Sequence, residues 1–237
     1  MFQITRWGRR SFLLVLLAGL GFGFAARGMA NAQAHHEQAP SLTPAAALER
    51  LIDGNKRFAE GTPTHRHEDL GWRKELTAGQ HPFATIFGCS DSRVPSELVF
   101  DQGFGDLFVV RVAGNIGGED DLGSIEYAVN HLNTPLVLVM GHEGCGAVTA
   151  ALQPDSARAH EAAGIRTMLS HVAPSLKAVN RSLPQAEQVH LGVEANVRRS
   201  VALLRQAPEL KAKLASGALD IVGSVYELDT GRVRIIR

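Results

Sequence analysis

The stretch that decides the fold is "PLVLVMGHEGCGAV", residues 135 to 148. Five consecutive apolar residues, 136 to 140, follow the proline, which is the pattern of a strand buried on both faces of a sheet. Glycines at 141, 144 and 146 then indicate a turn, and the apolar residues after them begin a helix. A buried strand that leads through a glycine-rich turn into a helix is typical of an α/β fold. It also leaves His142 and Cys145 at the carboxyl end of the strand.

The rest of the chain repeats this alternation of strands and helices. Short apolar runs predict strands within "FATIFGC" (83–89) and "DLFVVRVAGN" (106–115), and "LDIVGSVYELDTGRVRII" (219–236) predicts two strands joined by a turn at 229–231. The helical patterns cover residues 44–61, 70–80, 121–132, 160–180 and 186–206. We therefore predict an α/β fold with a mainly parallel central sheet, an antiparallel edge strand and flanking helices. The sequence contains no internal repeat.

The composition is that of a globular protein. Of the 237 residues, 45% are apolar and 20% are charged, which argues against disorder and is sufficient for one domain. The formal net charge is zero, but residues 1–32 contain four arginines and no acidic residue, so the remainder has a net charge of about −4. Because no basic run stands out in that remainder, we do not expect nucleic acid as a partner.

Residues 1–32 have the three-part pattern of an export signal peptide. A basic stretch precedes an apolar run from 12 to 26, which is shorter than the roughly 20 residues needed to span a bilayer, and "ANA" (30–32) follows as a cleavage site. Arg9 and Arg10, followed by Ser-Phe-Leu, resemble the twin-arginine signature. An uncleaved membrane anchor is the alternative. We predict export to the periplasm.

The remaining chain divides into two parts. Residues 33–43 are polar and are predicted to be a flexible start, and residues 44–237 form the single domain. Thr43 and Pro44 fit the N-cap and first position of its first helix. The periplasm is oxidising, so the two cysteines could form a disulfide. The twin-arginine route, however, exports folded proteins, often with a cofactor in place, and this favours a metal site.

Side chains suited to metal binding follow two of the predicted strands. Cys89 and Asp91 come after the first strand, and His142 and Cys145 come after the third. In open parallel sheets, ligands bind at the carboxyl ends of the strands. The His-x-x-Cys spacing lets both side chains reach one ion, Cys89 can add a second thiolate, and zinc prefers such ligands. Water in the fourth position would make the site catalytic, whereas Asp91 in that position would close it.

These residues could also have purely structural roles. The two cysteines could be buried and inert, or they could form a disulfide with each other. Asp91 and Arg93 could be a solvated ion pair across a tight loop. None of these accounts for the whole set of residues at two strand ends.

The motifs "CSDSR" (89–93) and "GHEGCG" (141–146) resemble those of the β-class carbonic anhydrases. The resemblance extends to "LIDGNKRFAEG" in the first helix, "FVVRVAGN", "SIEYAVNHL" and "GSVYELDTGRV". It implies zinc held by Cys89, His142 and Cys145, and reversible hydration of carbon dioxide to bicarbonate and a proton. Residues 44–237 would then be the catalytic domain.

The resemblance also implies a catalytic dyad. Asp91 would accept a hydrogen bond from the attacking hydroxide, and Arg93 would hold Asp91 away from the metal by a charge-assisted pair. When that pair breaks, Asp91 could become the fourth ligand in a closed state. Carbonyl sulfide or carbon disulfide as substrate, and a zinc-binding scaffold without activity, are alternatives that keep the same residues.

Further positions match the family's substrate pocket and assembly. The pocket residues implied by the resemblance are Gln80, Phe108, Ala113 and Tyr127, with Ala113 standing where a valine is common. A subgroup whose site is closed by bicarbonate has a tryptophan three residues before the first zinc cysteine. That position is Ile86 here, which favours the constitutively open subgroup. The family forms dimers with active sites at the subunit interface, and dimers often pair into tetramers.

Overall fold

The computed structural model describes residues 42–236, which belong to one compact unit. The predicted signal peptide (1–32) and most of the predicted flexible start (33–43) lie outside the described residues. Within that start, Leu42 packs against the core, and the Thr43 hydroxyl accepts a hydrogen bond from the Ala46 amide at 3.2 Å. Thr43 is therefore the N-cap of the first helix, with Pro44 at its first position, as the sequence indicates.

The elements follow the predicted alternation. The strands are β1 (Ala84–Gly88), β2 (Leu107–Arg111), β3 (Leu136–His142), β4 (Asp220–Tyr226) and β5 (Val233–Ile236). The helices are α1 (Pro44–Ala59), α2 (Leu70–Glu75), α3 (Ser96–Val99), α4 (Glu119–His131), α5 (Gly146–Ala151), α6 (Asp155–Arg158), α7 (Ala163–Val172), α8 (Gln185–Gln206) and α9 (Pro208–Ala215). The predicted helix at 160–180 comprises α7 and a 3₁₀ turn at Ala173–Leu176.

The five strands form one sheet in the order β2-β1-β3-β4-β5. All neighbouring pairs are parallel except β4 and β5, which are antiparallel. The predicted fold class is therefore confirmed. After β1 the chain adds β2 on one side of it and then β3 on the other. The carboxyl ends of β1 and β3 therefore lie side by side at the point where the strand order reverses. Such a point is where open α/β sheets bind ligands.

The core lies between the sheet and the helices on it. Every residue of β1 and β3 is buried, as the apolar runs predict. Helix α8 packs on β3 and β4, α4 packs on β1 and β2, and α1 packs on β3 and α3. Within residues 42–236, no helix combines the length and the apolar character needed to cross a membrane.

Close packing of α8 on the sheet depends on two strand glycines. A Cβ atom at Gly141 would lie 2.6 Å from Val197 Cγ2 and 3.0 Å from Val193 Cγ1, and one at Gly223 would lie 2.9 Å from Val197 Cγ1. These distances are shorter than carbon atoms tolerate, so both positions need glycine for this packing. Gly141 directly precedes His142, and the close approach fixes the end of β3.

Candidate metal centre and active site

The fold brings together the three predicted metal ligands. Cys89 directly follows β1, His142 is the last residue of β3, and Cys145 precedes α5. Gly88 is in register with Met140, so the two strands end at nearly the same level. The Sγ atoms of both cysteines and a ring nitrogen of His142 all lie within 4.8 Å of one another, and all three residues are buried.

The two cysteines are not joined. Both are free, and their Sγ atoms are 4.0 Å apart, about twice the roughly 2.05 Å length of a disulfide bond. The alternative of a disulfide is therefore not seen in this structure. Two buried thiols that face each other and an imidazole are a donor set suited to a thiophilic divalent metal.

The histidine ring presents an unused nitrogen to this cluster. His142 Nδ1 lies 2.9 Å from the Glu143 carbonyl oxygen, which can only accept a hydrogen bond, so Nδ1 carries the proton. Nε2 is buried and has no hydrogen-bond partner among the residues that the structure describes. A buried nitrogen left with a free lone pair is costly unless something binds it. A metal ion held with the two thiolates would satisfy it, so the residues fit the group.

The environment favours a thiolate at Cys89. The neighbouring Cys145 thiol donates toward it, and the Gly114 amide, whose nitrogen is 3.3 Å from Sγ, donates a further hydrogen bond. Together these contacts outweigh burial and lower the pKa of Cys89 below its usual value. The Cys89 thiolate and burial in turn raise the pKa of Cys145. Without a metal, one negative charge is favoured in the cluster and a second is opposed.

Asp91 lies beside the cluster and is paired with Arg93. Arg93 Nε and Nη2 donate to the two carboxylate oxygens at 2.9 and 2.8 Å, and the Arg93 amide donates to Oδ1 at 3.0 Å. These bonds outweigh burial and hold the pKa of Asp91 well below its ordinary value, so the carboxylate is ionised at neutral pH. Asp91 Oδ2 is also 3.7 Å from His142 Nε2. The dyad thus borders the cluster while the guanidinium holds the carboxylate.

Arg111, which the sequence did not single out, fixes the backbone of this motif. It is the last residue of β2, and its guanidinium donates to the Cys89 carbonyl at 2.9 Å and to the Asp91 carbonyl at 2.6 Å. Both acceptors belong to the 89–93 segment that carries the dyad. The signal available in the sequence is a charged residue at the end of a neighbouring apolar strand, which alone does not reveal a partner.

The predicted pocket residues do not all lie near the cluster within one chain. Ala113 is half-buried in the loop beside Gly114, and Gln80 is exposed in the segment before β1. Phe108 is in register with Thr85, four residues before Cys89, which is about 13 Å along the strand. Its ring lies 6.3 Å from that of Tyr127, whose side chain is 49% exposed. Within one chain these two aromatic residues form a surface patch on α4 and β2.

Comparison with known proteins agrees with the geometry of the site. A family model described as carbonic anhydrase matches residues 84–233, which contain both motifs. The chain is 43% identical over 198 residues to carbonic anhydrase 2 of Mycobacterium tuberculosis, covering 81% of this chain and 93% of that protein. It is 41% identical over 201 residues to a carbonic anhydrase of Mycolicibacterium smegmatis, covering 83% of this chain and 95% of that protein.

Solved structures specify the class. The structure of the β-carbonic anhydrase CcaA superposes with a TM-score of 0.67 at 28% identity, covering 80% of this chain and 95% of that chain. The chain belongs to the β-class carbonic anhydrases. A Coccomyxa β-carbonic anhydrase in complex with acetazolamide gives a TM-score of 0.65 at 29% identity, covering 80% of this chain and 86% of that one. As a carbonic anhydrase, this chain is a lyase, and the resemblance inferred from its motifs is confirmed.

Proposed function

We propose that this carbonic anhydrase catalyses the zinc-dependent, reversible hydration of carbon dioxide to bicarbonate and a proton. The observation that carries the proposal is the buried Cys89–His142–Cys145 cluster with an unpartnered imidazole nitrogen, bordered by the Asp91–Arg93 pair. Two thiolates and one imidazole are ligands that zinc prefers, and three protein ligands leave a position open for catalysis. When bound, zinc would lower the pKa of a coordinated water to roughly 7 and so make a nucleophile available near neutral pH.

The dyad provides the orientation of the nucleophile. Asp91 is ionised and can therefore only accept a hydrogen bond, and Oδ2 lies on the side of the cluster, 3.7 Å from His142 Nε2. A nucleophilic oxygen beside the cluster can donate its proton to Oδ2 and direct a lone pair toward carbon dioxide. Arg93 holds both carboxylate oxygens and so opposes movement of Asp91 onto the ligand atoms. The pairing of Asp91 with Arg93 supports an open state, in which Asp91 is not a ligand.

We further propose that a second copy of the chain completes the substrate pocket. Tyr127 is exposed and lies against the partly buried Phe108, which is distant along the strand from Cys89. Large exposed aromatic side chains are typical of surfaces that bind a partner. These two residues would line the substrate pocket if the patch of one copy faces the metal centre of the other copy. A dimer, or a tetramer built from dimers, is therefore the proposed assembly.

Export to the periplasm remains a proposal that rests on the sequence alone. Its support is the arrangement of Arg9, Arg10, the apolar run 12–26 and the "ANA" site at 30–32. Fusing residues 1–38 to a reporter that is active only after export tests it. The intact segment should export the reporter, and replacing Arg9 and Arg10 by lysine should retain it inside the cell. Equal export of both fusions would contradict the twin-arginine route.

The substrate is tested by supplying the purified, zinc-loaded protein with carbon dioxide or with carbonyl sulfide under identical conditions. We expect proton release from carbon dioxide and at most slow hydrogen sulfide release from carbonyl sulfide. Turnover of carbonyl sulfide alone would replace the proposed substrate while retaining the proposed metal. If neither substrate is turned over, the protein binds zinc but lacks the proposed activity.

A further inference from the structure

Helix α8 contacts a loop that in turn contacts Cys89 of the candidate metal centre. This loop, residues 112–116, follows β2 and passes beside Cys89. It includes Gly114 at φ +82° and Asn115 at φ +41°. Asparagine adopts positive φ more readily than most residues with a side chain, and contacts to the neighbouring backbone stabilise this conformation further. The same backbone directs the Gly114 amide at Cys89 Sγ, 3.3 Å away.

Two polar side chains of α8 supply those contacts. Asn196 is completely buried, and its Nδ2 donates to the Gly114 carbonyl at 2.5 Å. Ser200 is also buried, and its Oγ lies 2.9 Å from the Asn115 carbonyl oxygen and 3.0 Å from the Asn196 carbonyl oxygen, so its single proton is shared between these acceptors. The Ser175 hydroxyl donates to Asn196 Oδ1 at 3.0 Å and so fixes which end of the amide faces Gly114. The two peptide groups at the positive φ angles are thus both held from the helix.

We propose that Asn196, assisted by Ser200, is a positioning residue for the metal centre: it fixes the loop so that the Gly114 amide donates to the Cys89 sulfur. The inference rests on the proposed role of Cys89 as a metal ligand. A hydrogen bond to a thiolate draws electron density from the sulfur and weakens its donation to a metal. It also restrains the direction in which the sulfur presents its lone pairs. Both effects pass from α8 to the metal without any contact between Asn196 and the ligand atoms.

The location of Asn196 supports a role beyond filling space. Apart from Ser200, the buried face of α8 around it is apolar, with Val189, Val193, Val197 and Leu204. An asparagine in such a face costs free energy unless its hydrogen bonds are made. Here both ends of the Asn196 amide are hydrogen-bonded, and its NH2 group donates to Gly114, the residue whose own amide faces Cys89. A valine in its place would leave the Gly114 carbonyl without this donor.

The test compares Asn196→Ala with Asn55→Ala. Asn55 of α1 is a matched control, because it is also a buried asparagine that donates to backbone carbonyls, those of Val99 and Gly231, and neither belongs to a ligand-bearing loop. Each purified variant is measured for thermal stability, for zinc affinity by competition with a chromophoric chelator, and, after cobalt substitution, for the thiolate-to-cobalt charge-transfer band. The band reports electron donation from sulfur and does not depend on turnover.

We expect both variants to be less stable than the wild type. Asn196→Ala alone should lose roughly 10- to 100-fold in zinc affinity, because the released loop no longer fixes the direction in which Cys89 presents its sulfur. The band should shift to longer wavelength, because the sulfur lone pairs rise in energy without the hydrogen bond. An unchanged affinity and band in a folded Asn196→Ala would overturn the proposal, as would equal changes in Asn55→Ala. If Asn196→Ala does not fold, Ser200→Ala provides the second test: a smaller shift in the same direction supports the proposal, and an unmoved band contradicts it. Should the wild type bind neither zinc nor cobalt, the proposed metal function itself fails.

Discussion

The Arg93 guanidinium engages both carboxylate oxygens of Asp91, with donor–acceptor distances of 2.9 and 2.8 Å. Arg93 is half-exposed, whereas Asp91 is largely covered and lies 3.7 Å from a buried ring nitrogen of His142. The guanidinium therefore stands on the solvent side and the carboxylate on the side of the cluster. This arrangement separates two roles that a carboxylate could have at a metal centre: acceptor beside the ligands, or ligand itself.

Arg93→Ala tests which role the arginine enforces. Without its partner, Asp91 is free to move toward the metal, so we expect zinc content to stay near one per chain while turnover falls by roughly 10-fold or more. Arg93→Lys should recover only part of the loss, because an ammonium cannot reproduce the two-pronged pair. Arg73→Ala, which removes an exposed arginine of α2, serves as the control and should change neither quantity. Unchanged turnover in Arg93→Ala would remove this residue from the mechanism.

Cys89→Ser tests the ligand set. A serine hydroxyl is a poor replacement for a thiolate at a zinc site, so most of the bound zinc should be absent in elemental analysis of the purified variant. The exposed neighbour supplies the control, since Ser90→Ala alters the adjacent position and should retain zinc. Full zinc content in Cys89→Ser would mean that the ligands are other residues.

Gly141→Ala tests the packing that holds His142. The added methyl group would lie 2.6 Å from Val197 Cγ2, so the strand and α8 must separate, which we expect to cost about 1–3 kcal/mol in the free energy of unfolding and to lower zinc affinity. Gly123→Ala in α4 is the counterpart, because a Cβ there meets nothing within 4 Å and alanine favours the helix by about 0.5–1 kcal/mol. Denaturant unfolding of the two variants should give changes of opposite sign. Equal stabilities would show that the close approach of α8 is not required.

Tyr127→Arg tests the proposed second copy. A charge placed in the aromatic patch should prevent association, and light scattering after size-exclusion chromatography should then report a monomer with reduced turnover. Leu191→Arg, at an exposed apolar residue of α8, is the matched change and should leave the assembly intact. A wild-type protein that is monomeric and active would contradict the proposal that a second copy completes the pocket.

The sequence predicts most of the fold because its buried strands are short apolar runs with clear ends. For the same reason it predicts the cluster: Cys89 and His142 stand at the ends of two such runs, and parallel strands end at one edge. The four-residue α3 was not predicted, since one turn leaves no helical period to detect. Helix α9 was also missed, and its burial of Leu210 depends on contacts with α8 and α4.

The contacts that tune the site were harder to anticipate. The hydrogen bond from the Gly114 amide to Cys89 Sγ depends on the backbone torsions of the 112–116 loop. The Gly-Asn pair at 114–115 indicates a turn, but it does not indicate which atom the Gly114 amide faces. Asn196 and Ser200 did leave a signal, because they are polar residues four apart on the apolar face of α8. Their partners are more than 80 residues away in sequence, so the pattern indicates that hydrogen-bond partners exist but does not identify them.

The most direct test of the central claim is reconstitution of activity with metal. The purified protein is stripped by a chelator, zinc is added back in measured equivalents, and the initial rate of carbon dioxide hydration is recorded by stopped flow from pH 6.5 to 9. The account predicts a negligible rate for the stripped protein and a rate that rises in proportion to zinc until one equivalent per chain is bound. A rate that is absent at full zinc loading, or that does not depend on zinc, would contradict it.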